Sequence, residues 1–204
     1  MTDIRTDGLN RSQMYQLLIG AVVPRPIAWI TSRSESGVIN LAPFSAFTWV
    51  CHEPPMIGFA ITRRAGELKD TARNVISHGT FVVNIADEPL LEALHLSSAD
   101  FAPEISEAEY LNLALAASAT IDVPRLAAAP VALECEFAEA LEFGVARQQF
   151  IIGNVRSFYV RDDLYENGKI DTGKLRPIAR LAGPTYAHLG EIIRMQAAAP
   201  TPAT

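Results

Sequence analysis

The 204-residue chain holds two cysteines and four histidines, no run of basic residues and no long apolar stretch. Each shortage excludes something. Cys51 and Cys135 make a single possible pair, too little for a disulfide framework, and are expected as two buried thiols. His52, His78, His95 and His188 lie at no metal-ligand spacing from one another or from a cysteine, so no metal site is expected. His52-Glu53 starts like a zinc-protease helix, but Met56 stands where the second histidine belongs and Pro54-Pro55 breaks the helix. At a formal net charge of −6, the chain lacks the basic face that duplex nucleic acid or an anionic membrane requires. Nothing approaches the roughly 20 apolar residues of a transmembrane helix, and the first residues, Met1 to Arg5, carry no leader pattern. A soluble cytoplasmic protein is the expectation. No strand opens into G-x-G-x-x-G or a Walker loop, and no G-x-S-x-G elbow is present. No catalytic side chain is assigned, and chemistry is expected to arrive with a cofactor.

What is present reads as many short strands and few helices. A short helix is predicted over Ser12–Leu18, with Ser12 as its N-cap and Met14, Leu17 and Leu18 on one face. Pro24 and Pro26 force an extended entry into a strand at Ile27–Thr31. Strands follow at Val38–Asn40, Phe47–Val50 and Met56–Ile61, separated by turn residues. The period then changes: Leu68, Ala72, Val75 and Ile76 make a helical stripe within Glu67–His78, ended by Gly79. Phe81–Ile85 is a strand and Pro89–Leu96 a helix. Residues Ser97–Ala129 are Ala-rich and irregular, weakly helical, with a loop that packs over something. Strict alternation returns at Val131, Leu133, Cys135 and Phe137, slips phase near Ala138-Glu139 as a bulge does, and resumes in a long strand, Gln149–Val160. With no repeat and no linker, one domain over 1–195 and a disordered tail over 196–204 are expected. The pattern points to a mainly β fold, a barrel with peripheral helices.

Several segments, in order, carry a resemblance. They are Pro24-Arg25-Pro26-Ile27-Ala28-Trp29-Ile30-Thr31-Ser32, Asn40-Leu41-Ala42-Pro43-Phe44-Ser45, Glu53-Pro54-Pro55, Lys69-Asp70-Thr71 with Asn74, and Phe81–Ile85. Pro124-Arg125-Leu126, Pro130–Cys135, Leu175–Leu181 and Tyr186 continue the series. From about residue 14 to 190 the chain resembles the flavin reductase-like family of FMN-binding split β-barrels. The resemblance implies FMN as cofactor, with the Asn40–Ser45 segment (Asn40, Ala42, Pro43, Phe44, Ser45) beside the isoalloxazine ring and its backbone amides at the pyrimidine edge. Fixed amide donors suit that edge, where charge builds on reduction; without the resemblance, the segment reads as a bulge or bend. Lys69, Thr71 and Asn74 resemble the family's phosphate site, at a helix start where free amides favour an anion, with Arg64 just upstream as a fork. By themselves these residues read as an ordinary solvated helix start, and Asp70 as an orienter. Thr31 and Ser32 resemble positions facing the flavin or its ribityl chain; a plain strand role is the alternative. Trp29 is expected in the core, and Arg180 and Tyr186 are expected to hold the C-terminal segment against the barrel or a second subunit. Asn112-Leu113-Ala114-Leu115 departs from a glycine-containing turn common in relatives, and Ala182 from a glycine usual before Gly183, so donor preference does not transfer.

The function implied is an NAD(P)H-dependent FMN reductase, a homodimer that passes hydride from a nicotinamide nucleotide to flavin and supplies reduced flavin to an oxygenase component. A non-catalytic FMN electron-transfer protein is the alternative, favoured if Ser97–Ala129 folds as a lid filling the ring's exposed face. A split barrel without flavin, serving as a ligand-binding or structural dimer, is the third reading.

Overall fold

The computed structural model describes residues 2–196; the expected tail, apart from Gln196, lies outside the described residues. Seven antiparallel strands form the main sheet: β1 Ala28–Arg33, β2 Ile39–Phe44, β3 Phe47–His52, β4 Pro55–Ile61, β5 Thr80–Ile85, β6 Val131–Phe143 and β7 Gln148–Val160. Their spatial order is β2-β1-β5-β6-β7-β4-β3. The two edge strands, β2 and β3, are therefore consecutive in sequence, joined only by Ser45 and Ala46. So short a link forces the sheet to curl until its edges meet, yet β2 and β3 do not pair and the barrel stays split between them. The Ala60 amide donates to the Ala46 carbonyl at 2.8 Å and holds that corner against β4.

Alternation decides which side chains fill the barrel. Ala28, Ile30, Phe59, Phe81, Val83, Leu133, Cys135 and Ile151 point inward, and Phe59 packs between Phe44 and Phe81 at ring-centroid distances of 5.5 and 5.6 Å. Trp29 and Leu41 point outward into a second apolar layer with Leu90, Leu94, Ala108 and Leu126. Strand β1 is thus buried on both faces, which is why Ile27–Ile30 is a continuous apolar run rather than an alternating one. In the long β6–β7 hairpin, Gly153 pairs with Phe137 while Ile152 pairs with Glu139, leaving Ala138 as the bulged residue. The phase slip in the sequence marks that position.

Helix α2, Asp70–His78, buries Ala72 and Val75 against the barrel and ends at Gly79, whose φ of 83° closes it with a left-handed cap. It begins three residues later than the pattern suggested, because Arg64 and Glu67 exchange backbone hydrogen bonds around Ala65 and Gly66, both at positive φ. That is a type I′ turn, not helix. Helix α1, Arg11–Ala21, is capped by Asn10 rather than Ser12: Asn10 and Gln13 exchange side-chain and backbone bonds in a capping box. None of its residues is buried, and Met14, Leu17 and Leu18 are left exposed by the other described residues. Trp49 on β3 is 70% exposed.

Beyond α3, Leu91–Leu96, the 97–129 segment contains one short helix, α4 Glu107–Tyr110, and a two-residue ladder joining Leu115–Ala116 to Arg125–Leu126. Asn112 takes φ of 54°, the conformation a glycine would supply in that turn and one that asparagine tolerates. Both cysteines are free, and only Cys135 is buried; Cys51 is half-buried, because β3 is an edge strand. No helix among the described residues is long and apolar enough to cross a membrane.

Candidate functional site

A cavity of about 270 Å³ opens where β2, the Arg64–Lys69 turn, the start of α2 and residues 97–107 meet. Its β2 wall is Asn40, Ala42, Pro43 and Phe44; Lys69 and Thr71 stand at the helix end, and Arg64 comes from the I′ turn. A second cavity of about 300 Å³ adjoins it and shares the wall made by Asn40, Asp70, Arg73, Pro103 and Glu107. Seven of the expected site residues therefore line the first cavity, and Asn74 lines the second.

Thr31, Ser32 and Ser45 line neither. The Thr31 hydroxyl donates to the Pro124 carbonyl at 2.7 Å, which clips the 97–129 segment to β1. Ser32 is fully buried and receives the Asn74 amide at 3.3 Å. Ser45 receives Arg25 Nε at 3.5 Å. Trp29 is a core residue, and its indole N–H donates at 2.9 Å to Ser97, one of the cavity's own lining residues. Arg180 Nη1 donates to the Tyr186 hydroxyl at 2.7 Å, and His95 Nδ1 lies 3.0 Å from the same oxygen, so this pair holds the C-terminal segment to α3.

The cavity has two electrostatic ends. Lys69 is the N-cap residue of the nine-residue α2, whose first-turn amides have no intrahelical acceptors. Burial, reinforced by the neighbouring Arg64 charge, lowers the Lys69 pKa. Among the described residues Lys69 forms no ion pair, whereas Arg64 pairs with Asp100 and Arg73 with Asp70. At the other end Glu107 is buried, and its carboxylate accepts from Asn40 Nδ2 at 2.8 Å and from the Leu41 amide at 2.7 Å. Burial raises the Glu107 pKa, and Asp70 adds to the rise. Asn40 Oδ1 in turn accepts from the Thr71 hydroxyl at 2.6 Å and, more weakly, from Ser32 at 3.4 Å. Strand β2 has its Leu41 amide aimed away from the ladder; the next residue of that orientation is Pro43, which has no N–H. The outward donor of the expected ring segment is therefore held by Glu107.

Glu107, Asp100 and Phe101 line the cavity without having been singled out in the sequence. The 97–129 segment has no period to read. Its one usable signal is Ser106, which caps α4 by accepting from the Glu109 amide and so places Glu107 in the first turn. Among the described residues no three His, Cys, Asp or Glu side chains gather as a metal site.

Comparison with known proteins gives a consistent picture. The family model described as a flavin reductase like domain matches residues 20–178. An uncharacterized protein of Halalkalibacterium halodurans is 44% identical over 193 residues, covering 92% of each chain. Among solved structures, nitrilotriacetate monooxygenase component B from Bacillus cereus is 39% identical with a TM-score of 0.93, covering 96% of this chain and 98% of its own. The 2-nitrobenzoate 2-nitroreductase of Pseudomonas fluorescens is 35% identical with a TM-score of 0.90, covering 99% of both.

Proposed function

The chain belongs to the flavin reductase-like family, and on that premise we propose that it is an oxidoreductase that holds FMN in the 270 Å³ cavity and reduces it with NADH or NADPH. One observation carries this reading: a cationic end, Arg64 and Lys69 at the start of α2, shares a single cavity with the Ala42-Pro43-Phe44 wall of β2. A phosphomonoester suits the first and a flat heteroaromatic ring the second. When bound, FMN supplies a two-electron acceptor for hydride from the nicotinamide.

The chain's own residues bind and orient. First-turn amides of α2 and the Thr71 backbone meet a phosphate with the helix dipole behind them. Lys69, held partly out of water beside another cation, gains from an incoming dianion, which offsets both causes of its lowered pKa. Arg64 reaches the same phosphate by exchanging Asp100 for it. Ala42 and Phe44 offer apolar surface to the ring. No side chain need move a proton, because hydride transfer is set by stacking distance, roughly 3–3.5 Å between reacting atoms.

The exposed faces of α1 and β3 support a homodimer. The likeness to a monooxygenase component supports delivery of reduced flavin to an oxygenase. The test is to mix the protein with FMN, remove free flavin by gel filtration, and add NADH or NADPH without oxygen. A retained flavin band that bleaches is the expected result. Turnover no faster than that of free FMN at saturating donor overturns the reductase.

A further inference from the structure

Glu107 is an expensive residue to keep. It is 5% exposed, and among the described residues no cation pairs with it. A buried carboxylate without a counter-charge is costly in general, and its raised pKa reflects that cost. Its neighbouring acid, Asp70, adds to the cost rather than offsetting it.

Its two hydrogen bonds explain what is gained. A carboxylate only accepts, so the group facing it at 2.8 Å must be the Asn40 amide nitrogen, not the oxygen. That choice turns Asn40 Oδ1 toward Thr71 and Ser32, both of which hold hydroxyl donors to it. The second carboxylate oxygen takes the Leu41 amide, the outward donor of an edge strand. One side chain thus sets the orientation of Asn40, occupies the free edge of β2, and ties both to residues 97–107, across 67 residues of chain. It also stands in the wall shared by the two cavities. A glutamine could satisfy one of these donors but would oppose its own NH2 to the other. The carboxylate is the group whose donor–acceptor pattern fits the floor of the site.

We infer that Glu107 is the positioning residue of the flavin site, fixing Asn40 and the β2 backbone in the arrangement that receives the cofactor. The inference rests on the FMN reading given above. It assigns Glu107 no contact with the reacting atoms; it acts through Asn40 and Leu41.

The test measures the FMN dissociation constant by flavin fluorescence quenching, the visible spectrum of bound flavin, and the melting temperature of the flavin-free protein, for wild type, Glu107→Gln and Glu107→Ala. Loss of charged hydrogen bonds predicts roughly a tenfold to hundredfold weaker FMN affinity in Glu107→Ala and a smaller loss in Glu107→Gln, with altered flavin bands in both. The milder Glu107→Gln keeps the comparison open if Glu107→Ala does not fold. A lower melting temperature with unchanged FMN affinity and an unchanged flavin spectrum overturns the inference, leaving Glu107 a structural staple. Wild type that binds no FMN overturns the flavin reading itself, and this inference with it.

Discussion

The Thr71 hydroxyl donates to Asn40 Oδ1 at 2.6 Å, which ties the first turn of α2 to the edge strand β2 inside the barrel's mouth. The helix start with its cationic neighbours and the strand that walls the cavity are thereby one rigid unit rather than two adjacent segments. Both residues are buried, so a polar atom left without its partner there is costly.

Thr71→Val keeps the shape and removes the donor. It leaves a buried acceptor with only the long Ser32 contact, so unfolding free energy is expected to fall by about 1–3 kcal/mol. Urea denaturation checks this, and an unchanged midpoint would mean that Asn40 finds another donor.

Lys69→Ala removes the cavity cation that has no ion pair among the described residues. FMN affinity should drop by roughly tenfold and lose part of its salt dependence, as for one charge-assisted contact, while the melting temperature hardly changes. Titration at two ionic strengths reads both. Equal affinity for the variant and wild type would remove the phosphate from this end of the cavity.

Gly153→Ala puts a methyl group 2.5 Å from the Phe81 ring and 3.3 Å from the Glu136 carbonyl. Phe81 is fully buried in the barrel, so the ring cannot swing away freely. Overpacking of this kind is expected to destabilise by about 1–3 kcal/mol, measured by denaturant unfolding; a neutral result would show that the β6–β7 hairpin yields there.

Glu142 accepts from Arg147, Gln149 and Arg63, and these bonds hold its pKa down to about 2. A carboxylate depressed in the folded state contributes stability above its ordinary range and loses it as pH falls toward that value. Glu142→Gln should therefore be the less stable protein at neutral pH and show a flatter acid limb, the two proteins converging as pH falls below the ordinary carboxylate range. Melting temperatures across that limb decide it; parallel curves for both proteins would contradict it.

Trp49→Glu places a charge on the exposed β3 edge. If that face joins two protomers, sedimentation should show wild type at twice the 22.2 kDa chain mass and the variant shifted toward the monomer. A monomeric wild type would remove the homodimer from the proposal.

Most strands could be read directly because the signal is local. Side chains alternate in or out with a period of two, and a bulge shows as a broken phase, as at Ala138. The α2 stripe, Ala72 and Val75, was equally plain, and Gly79 marked its end. The misplaced cap of α1 had its own signal in Asn10 and Gln13, three residues apart. The site was half legible: the Asn40–Phe44 and Lys69–Thr71 segments do line one cavity. Thr31 and Ser32, by contrast, are buried in strand contacts, and no local pattern tells a hydroxyl that meets a ligand from one that meets the neighbouring loop.

By itself the sequence determined the mainly β character, the positions of most turns, the long bulged hairpin, and a family resemblance that names a cofactor. Tertiary structure alone decided that β2 and β3 become opposite edges of one sheet and that residues 97–107 wall the cavity between the edge strand and α2. It also decided that Glu107 holds Asn40. The reason is physical: periodicity, capping and turn preference act over a few residues, whereas closure of a split barrel is governed by apolar burial and hydrogen bonds between residues far apart in the chain, whose partners no local window contains.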